Sequence, residues 1–173
     1  MHYGNMVIVA ADAAETDLEA AVAEAMGPSE ENGGFWDWYQ IGGRWTGSLD
    51  GYDAEKDPKN IETCTLCGGT GKRTDMEVAS GCNGCSGIGK SVKWPTQWAK
   101  HPSDVVPVSN LTEEHMKLFH RVVLPEGYGA FACTRYEPWQ TNDKFPKQEM
   151  PPLSWIQAKF GDGYVAVVVD NHK

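Results

Sequence analysis

Four cysteines stand in two near-copies of one phrase, Cys64-Thr-Leu-Cys67-Gly-Gly-Thr-Gly71 and Cys82-Asn-Gly-Cys85-Ser-Gly-Ile-Gly89, each reading Cys-x-x-Cys-x-Gly-x-Gly. A Cys-x-x-Cys turn aims two sulfurs at one point, and a loop that brings two such turns together builds the tetrahedral thiolate shell that zinc takes. The glycines let the chain turn sharply around the sulfurs, often with positive φ, so that backbone N–H groups point at thiolates. The spacing therefore predicts a structural zinc ion on Cys64, Cys67, Cys82 and Cys85. Ordinary buried thiols or two disulfides are the alternatives, but neither explains two matched Gly-x-Gly tails. A catalytic zinc keeps an open position and commonly uses a histidine with a nearby glutamate. Four cysteines close the shell, and Glu62 and Glu77 follow no histidine.

Residues 64 to 89 resemble half of the cysteine-rich region of DnaJ-type co-chaperones, in which four such repeats bind two zinc ions. The phrase is also similar to the single zinc modules of plant bundle-sheath-defective proteins and of bacterial anti-TRAP. The resemblance implies a rigid zinc hairpin that presents a surface to another protein. It does not extend to a J-domain or to a His-Pro-Asp tripeptide, which this sequence lacks.

A second chemistry-bearing stretch is Phe35-Trp-Asp-Trp-Tyr-Gln-Ile-Gly-Gly-Arg-Trp-Thr-Gly47, the densest aromatic segment of a chain with 7 tryptophans. Paired glycines expose backbone N–H groups, and an adjacent arginine forks onto phosphate or carboxylate or stacks on a ring. Trp36, Asp37, Trp38, Tyr39, Gly42, Gly43, Arg44 and Trp45 thus form a candidate seat for a flat, anionic, nucleotide-like ligand. On a strand, Trp36 and Trp38 would share one face and Phe35, Tyr39 and Ile41 the other, so packing of both faces explains the aromatics equally well. Neither Gly-x-x-x-x-Gly-Lys-Ser/Thr nor a strand followed by Gly-x-Gly-x-x-Gly is present, and binding is easier to argue than turnover.

The phrase Trp-Asp-Trp-Tyr-Gln-Ile-Gly-Gly-Arg-Trp-x-Gly, with a terminal strand running Val167 to His172, resembles a group of small bacteriophage and actinobacterial proteins. That resemblance implies that the aromatic segment and the last strand meet, with Arg44, Asp170 and His172 as neighbours. It also makes the zinc module an insertion.

No catalytic residue is nominated. His2, His101, His115, His120 and His172 form no metal-binding or catalytic pattern, and His115 and His120 are separated rather than stacked on a helix. Cys133 lies in an apolar Ala-Phe-Ala-Cys context, where a small buried thiol is the default. An enzyme using Asp37, Arg44 and a distant histidine is the weakest of the functional readings.

A length of 173 residues suits one domain carrying a small insertion, and the 40% hydrophobic and 23% charged composition is that of an ordinary globular protein. No apolar run approaches a membrane span and no signal peptide is evident, so a cytoplasmic location, in the host if the protein is phage-encoded, is expected. A reducing compartment also keeps the thiolates available. Net charge is −9, which argues against nucleic acid and anionic membrane as partners. Lys72, Arg73 and Lys90 outnumber Asp75 and Glu77 in the finger, but four thiolates and one zinc ion return it to a slightly negative charge.

The elements that must position these residues are read from periodicity. A strand is expected over Met6 to Ala11, then an amphipathic helix capped by Thr16 and Glu19, with Leu18, Ala21, Val22, Ala25 and Met26 on one face up to Gly27-Pro28. Leu111-Thr112 opens a second helix that carries Met116, Phe119, Val122 and Val123 and ends near Pro125. Strands are expected over Tyr128 to Arg135 and Trp155 to Phe160, with Ile156, Ala158 and Phe160 inward, followed by a hairpin at Gly161-Asp-Gly163 and an apolar strand over Tyr164 to Asp170. The pattern predicts an α+β fold with a mostly antiparallel sheet and two helices, residues 1–58 and 94–173 forming the body and 59–93 the zinc hairpin. Its expected function is that of a non-enzymatic, phage-related, zinc-containing binding protein holding a small anionic or aromatic ligand, such as a host defence signal. The alternative is a protein-interaction or chaperone-like module that grips a host protein through the hairpin. Self-association is compatible with either.

Overall fold

The structure is a computed structural model, and it describes residues 1–27, 36–73, 81–125, 130–132 and 151–172, with 130–132 described as backbone only. Phe35, Cys133 and most of the strand expected over Tyr128 to Arg135 lie outside these residues. In chain order the elements are β1 (His2–Ala10), α1 (Ala11–Met26), β2 (Trp38–Ile41), β3 (Ile61–Thr63), β4 (Lys90–Val92), β5 (Val105–Pro107), α2 (Glu113–Met116), β6 (Arg121–Val123), β7 (Ala130–Ala132), α3 (Leu153–Phe160) and β8 (Tyr164–His172). The fold is α+β. The chain divides into two units, Met1–Tyr52 with Lys100–Lys173, and Asp53–Ala99, and the hairpin expected over 59–93 lies within the second.

In the first unit β8 is the organising strand. Its Val-rich run is buried on both faces, as a central strand requires. It pairs antiparallel with β1 from His2↔His172 to Ala10↔Tyr164. On its other edge it takes β2 at one end (Trp38↔His172, Ile41↔Val169) and β5 at the other (Val105↔Val167). β6 adds to β1 in parallel and β7 to β6 antiparallel, giving the order β2-β8-β1-β6-β7. Three of the helical and strand segments differ from the sequence expectation, each for a local reason.

The first helix begins at Ala11, five residues before the expected cap, but Asp17 leaves helical geometry (φ −155°, ψ 94°). Its Oδ1 accepts the Ala20 N–H at 3.0 Å, so Asp17 caps the second half, while the Thr16 hydroxyl donates back to the Asp12 carbonyl. The apolar stripe is as expected: Ala21, Val22 and Met26 are buried against Val7, Val9, Val167 and Val169.

The second helix stops after one turn at Met116. Thr112 caps it with His115, and the chain then re-enters the sheet as β6, because Val122 and Val123 alternate between the two faces and extend a β1 edge that would otherwise be unpaired. The expectation of one continuous helix to Pro125 is therefore corrected.

Trp155 to Phe160 is helical rather than a strand. Leu153, Ile156 and Phe160, spaced by three and four, are the buried positions, and Ala158 is exposed. The Gln157 amide covers the carbonyls of Ser109 and Leu111 at 3.1 and 3.0 Å. Gly161–Gly163 is consequently a 3-10 turn joining helix to strand, not a hairpin.

The sheet separates two apolar layers. One holds Met6, Ile8, Ala166 and Val168 against Leu111, Met116, Phe119, Leu153, Ile156 and Phe160; the other is the α1 layer, which also receives Ile41 and Trp36. Each fully buried aliphatic contributes about 1.5–3 kcal/mol relative to exposure. Among the described residues no helix is long and apolar enough to cross a membrane.

Among its described residues the second unit has no comparable apolar core. β3 and β4 pair antiparallel from Ile61↔Val92 to Thr63↔Lys90, and the buried cluster beyond them consists of the four cysteines themselves. At its base Asp57 accepts the Lys59 N–H at 2.8 Å and buried Asn60 bonds the Ala54 carbonyl at 2.9 Å.

Candidate metal centre and sheet-end cluster

The two cysteine phrases fold as near-copies. Gly71 donates its N–H to Cys67 Sγ at 3.3 Å, and Gly89 donates to Cys85 Sγ at 3.2 Å. Cys64 N–H reaches the Gly89 carbonyl at 3.0 Å while Cys82 N–H reaches that of Gly71 at 2.8 Å, so each repeat closes on the other. A side chain at Gly71 would strike the Gly87 carbonyl at 2.2 Å, and one at Gly89 the Gly69 carbonyl at 2.2 Å. The repeat in the sequence is thus a two-fold relation in space, and these glycines are required by the close approach of the two knuckles.

The four sulfurs are buried and all lie within 4.8 Å of one another. Cys64 to Cys82 and Cys67 to Cys85 are both 3.8 Å, far beyond a disulfide's ~2.05 Å. A tetrahedron with metal–sulfur bonds of ~2.3 Å has edges of about 3.8 Å, the separation these two pairs show. Burial disfavours the Cys67 thiolate, yet the N–H groups of Gly71 and Gly69, with the neighbouring Cys85 and Cys64, together bring its pKa down to about 7. Burial dominates at Cys82 and pushes it up to about 11, a cost that a bound cation removes. The four buried cysteines are positioned to coordinate a metal ion. Among the described residues no other group of three histidine, cysteine or carboxylate donors comes as close together.

The aromatic segment is divided by the sheet. Trp36 precedes β2, is buried in the α1 layer and meets Tyr39 edge-on at 6.5 Å. Trp38, 37% exposed, lies on the opposite face, so the two tryptophans do not share a face as strand alternation from Trp36 suggested. Burial, with Glu19 nearby, holds the Tyr39 hydroxyl above its usual pKa. Trp45 lies on Gly4, where any side chain would meet its indole at 2.6 Å, and packs on the α2–α3 layer.

Gly42 and Gly43 are buried, with positive φ of 76° and 55°. The space beside each is filled by a carboxylate of the protein itself, Asp104 for Gly42 and Asp170 for Gly43. Asp104 accepts the Thr46 hydroxyl at 2.5 Å and the N–H groups of Gly47 and His101 at 2.7 and 2.8 Å. Asp170 accepts the Arg44 N–H at 3.1 Å and holds His2 Nδ1 at 2.9 Å. The turn is therefore built around two internal carboxyl groups, and the Arg44 side chain is left exposed at its surface.

Where β2, β8 and β1 end, the register places Trp38, His172 and His2 side by side on one face. Their rings form a triangle: Trp38 lies parallel to His172 (7°, 5.5 Å), and His2 meets both edge-on at 5.4 and 5.0 Å. His172 Nδ1 is 2.9 and 3.0 Å from the two Asp37 oxygens, and this hydrogen bond holds the Asp37 carboxyl below its ordinary pKa. The structure thus brings Asp37, Trp38 and the Arg44 backbone together with His2, Asp170 and His172, and leaves Trp36, Tyr39 and Trp45 as packing groups. Of Arg44, Asp170 and His172, grouped by the second resemblance, Asp170 takes the Arg44 backbone N–H and His172 lies two residues further along β8. His2 was missed: an isolated N-proximal histidine carries no local signal, and only pairing with β8 gives it a partner.

Comparison with protein-family models, curated proteins and solved structures returns no match for this chain.

Proposed function

We propose that the protein is a zinc-containing binding protein that holds a small anionic, aromatic, nucleotide-like ligand at the sheet end. The carrying observation is the exposed Trp38 indole lying parallel to His172 beside the turn that presents Arg44. A planar base stacks on such a surface, and a guanidinium takes phosphate in a bidentate fork. Zinc fits the second unit because four thiolates in a closed tetrahedral shell are its usual structural donor set. In this reading the DnaJ-like hairpin is an insertion in a phage-type protein, and sequestration of a host nucleotide signal in the cytoplasm is a role that suits it. Calorimetric titration with a nucleotide panel tests it: Arg44→Ala abolishes binding without lowering the melting temperature, and unchanged affinity in that variant refutes the site.

A second reading is favoured by one feature of the metal unit. Leu66, Ile88, Val92 and Trp94 are 55%, 76%, 43% and 72% exposed, an apolar display suited to gripping a host protein. Leu66→Asp with Ile88→Asp, which spares the cysteines, then removes partner capture while metal content stays at one ion per chain.

A further inference from the structure

We infer that the sheet end is equipped for turnover: His2 and His172 form an acid–base pair that cleaves the phosphodiester of a short ribonucleotide by transfer to its own 2′-hydroxyl. The inference rests on the ligand seat proposed above and adds a reaction to it.

Both imidazoles are held the same way. His2 Nδ1 is fixed by Asp170 at 2.9 Å, and His172 Nδ1 by Asp37 at 2.9 Å. A carboxylate on Nδ1 sets the tautomer and ring orientation and makes Nε2 the working atom. The two side chains are 23% and 34% exposed, so a substrate can reach them. The ring centroids are 5.0 Å apart because His2 and His172 are register partners on adjacent strands. A base and an acid that serve one phosphate must each reach an oxygen within about 2.6–3.2 Å, and neighbouring imidazoles offer two ring nitrogens to one substrate-sized site. The Met1 nitrogen lies 3.4 Å from His172 Nε2, and Met1 is 65% exposed, so an incoming oxygen displaces it without opening the core.

The surroundings name the substrate. Trp38 offers a face to a base, and Arg44 a fork to a phosphate. A nucleophile tethered within the substrate gains a high effective molarity from positioning alone, which two imidazoles can exploit. The net charge of −9 repels long polyanions, which leaves short ribonucleotides as the class.

In the step, His2 Nε2 takes the proton of the 2′-hydroxyl as that oxygen bonds to phosphorus. The bond from phosphorus to the 5′-oxygen breaks, and this oxygen takes the proton from His172 Nε2. A 2′,3′-cyclic phosphate and a free 5′-hydroxyl result, and exchange with water returns the proton from His2 and restores that of His172. In this proposal the exposed Arg44 guanidinium takes the charge that grows on the non-bridging oxygens. Asp37 and Asp170 are positioning residues.

The test uses the full-length, metal-loaded protein with the ribodinucleotide UpA and its 2′-deoxy counterpart. The expected result is conversion of UpA to a cyclic phosphate and adenosine, with the deoxy compound bound but intact. His2→Gln and His172→Gln each lower kcat by about 10²–10⁴-fold and leave the Kd for the deoxy compound within about threefold. Binding of the deoxy compound with UpA left intact overturns the acid–base assignment and leaves the binding reading standing, a result readable on the wild-type protein alone. Cleavage that survives in both histidine variants also overturns it, and absence of binding to either compound removes both readings.

Discussion

The Asp170 carboxylate accepts the backbone N–H of Arg44 at 3.1 Å across 126 residues of chain. The same buried group holds His2 and fills the space beside Gly43, so one side chain of β8 sets the turn after β2 and the start of β1.

If Asp170 occupies that space, Gly43 tolerates no side chain. An alanine Cβ there would sit 2.5 Å from Asp170 Cβ at a φ of +55°. Gly43→Ala is expected to destabilise by about 2–4 kcal/mol, the sum of left-handed strain and overpacking. Gly51→Ala, at a φ of +74° with nothing within 4 Å, carries the strain alone, about 1 kcal/mol. Equal losses for the two in urea unfolding would show that the carboxylate is not the obstacle.

The metal knuckles carry one asymmetry. Gly68 has a φ of +57°, and the matching position of the other repeat is Ser86 at +50°. A left-handed serine costs about 1–2 kcal/mol, partly offset by the entropy that glycine would lose. Ser86→Gly is therefore expected to tighten metal retention by up to about 1 kcal/mol, measured by competition with a chelator. Weaker retention in the variant contradicts this geometry.

Metal removal separates the two units. Among the described residues of the second unit the buried cluster consists of its cysteines, so chelation should expose all four thiols to a titrating reagent and abolish protection of the β3–β4 amides. The sheet of the first unit has its own apolar layers, and β1 and β8 amides remain protected from exchange. Loss of both sets together rules out independent stability of the sheet.

The tryptophans of the aromatic segment should respond oppositely. Trp36 is 9% exposed within the α1 layer, and Trp36→Ala should cost about 3–5 kcal/mol. Trp38→Ala should change stability by less than about 1 kcal/mol and remove ligand binding. A melting temperature that falls as far for Trp38→Ala as for Trp36→Ala would make Trp38 a packing residue.

Acid should release the contact at the sheet end. Chiefly through the His172 hydrogen bond, Asp37 titrates below its ordinary value of 3.8. A carboxyl with a depressed folded pKa stabilises the fold above its unfolded value, and that contribution disappears as pH falls through the folded one. The stability difference between wild type and Asp37→Asn should thus be constant at neutral pH and shrink below pH 3.8. A difference that persists in acid assigns the role of Asp37 to something other than its charge.

Much of the architecture was legible where a pattern is local. The α1 face, the Val-rich β8 and the turn at Asp57-Pro58 follow from side-chain periodicity and turn chemistry, which act within a few residues. Trp155 to Phe160 was misread because Ile156 and Phe160 satisfy both an alternating and a helical pattern; the choice fell to Leu153, which the helix buries along with them. Val122 and Val123 left the helical pattern because β1 offered an open edge, information that no window around them contains.

By itself the sequence determined the metal centre: four ligands, their turns and the glycines that let them close are encoded within 26 residues, and short-range geometry suffices to aim the sulfurs. The sheet-end cluster was decided by tertiary structure. His2, Asp37, Asp170 and His172 come from opposite ends of the chain, and only the β1–β8 and β2–β8 registers, fixed by burying one set of side chains on each face, bring them within hydrogen-bonding reach.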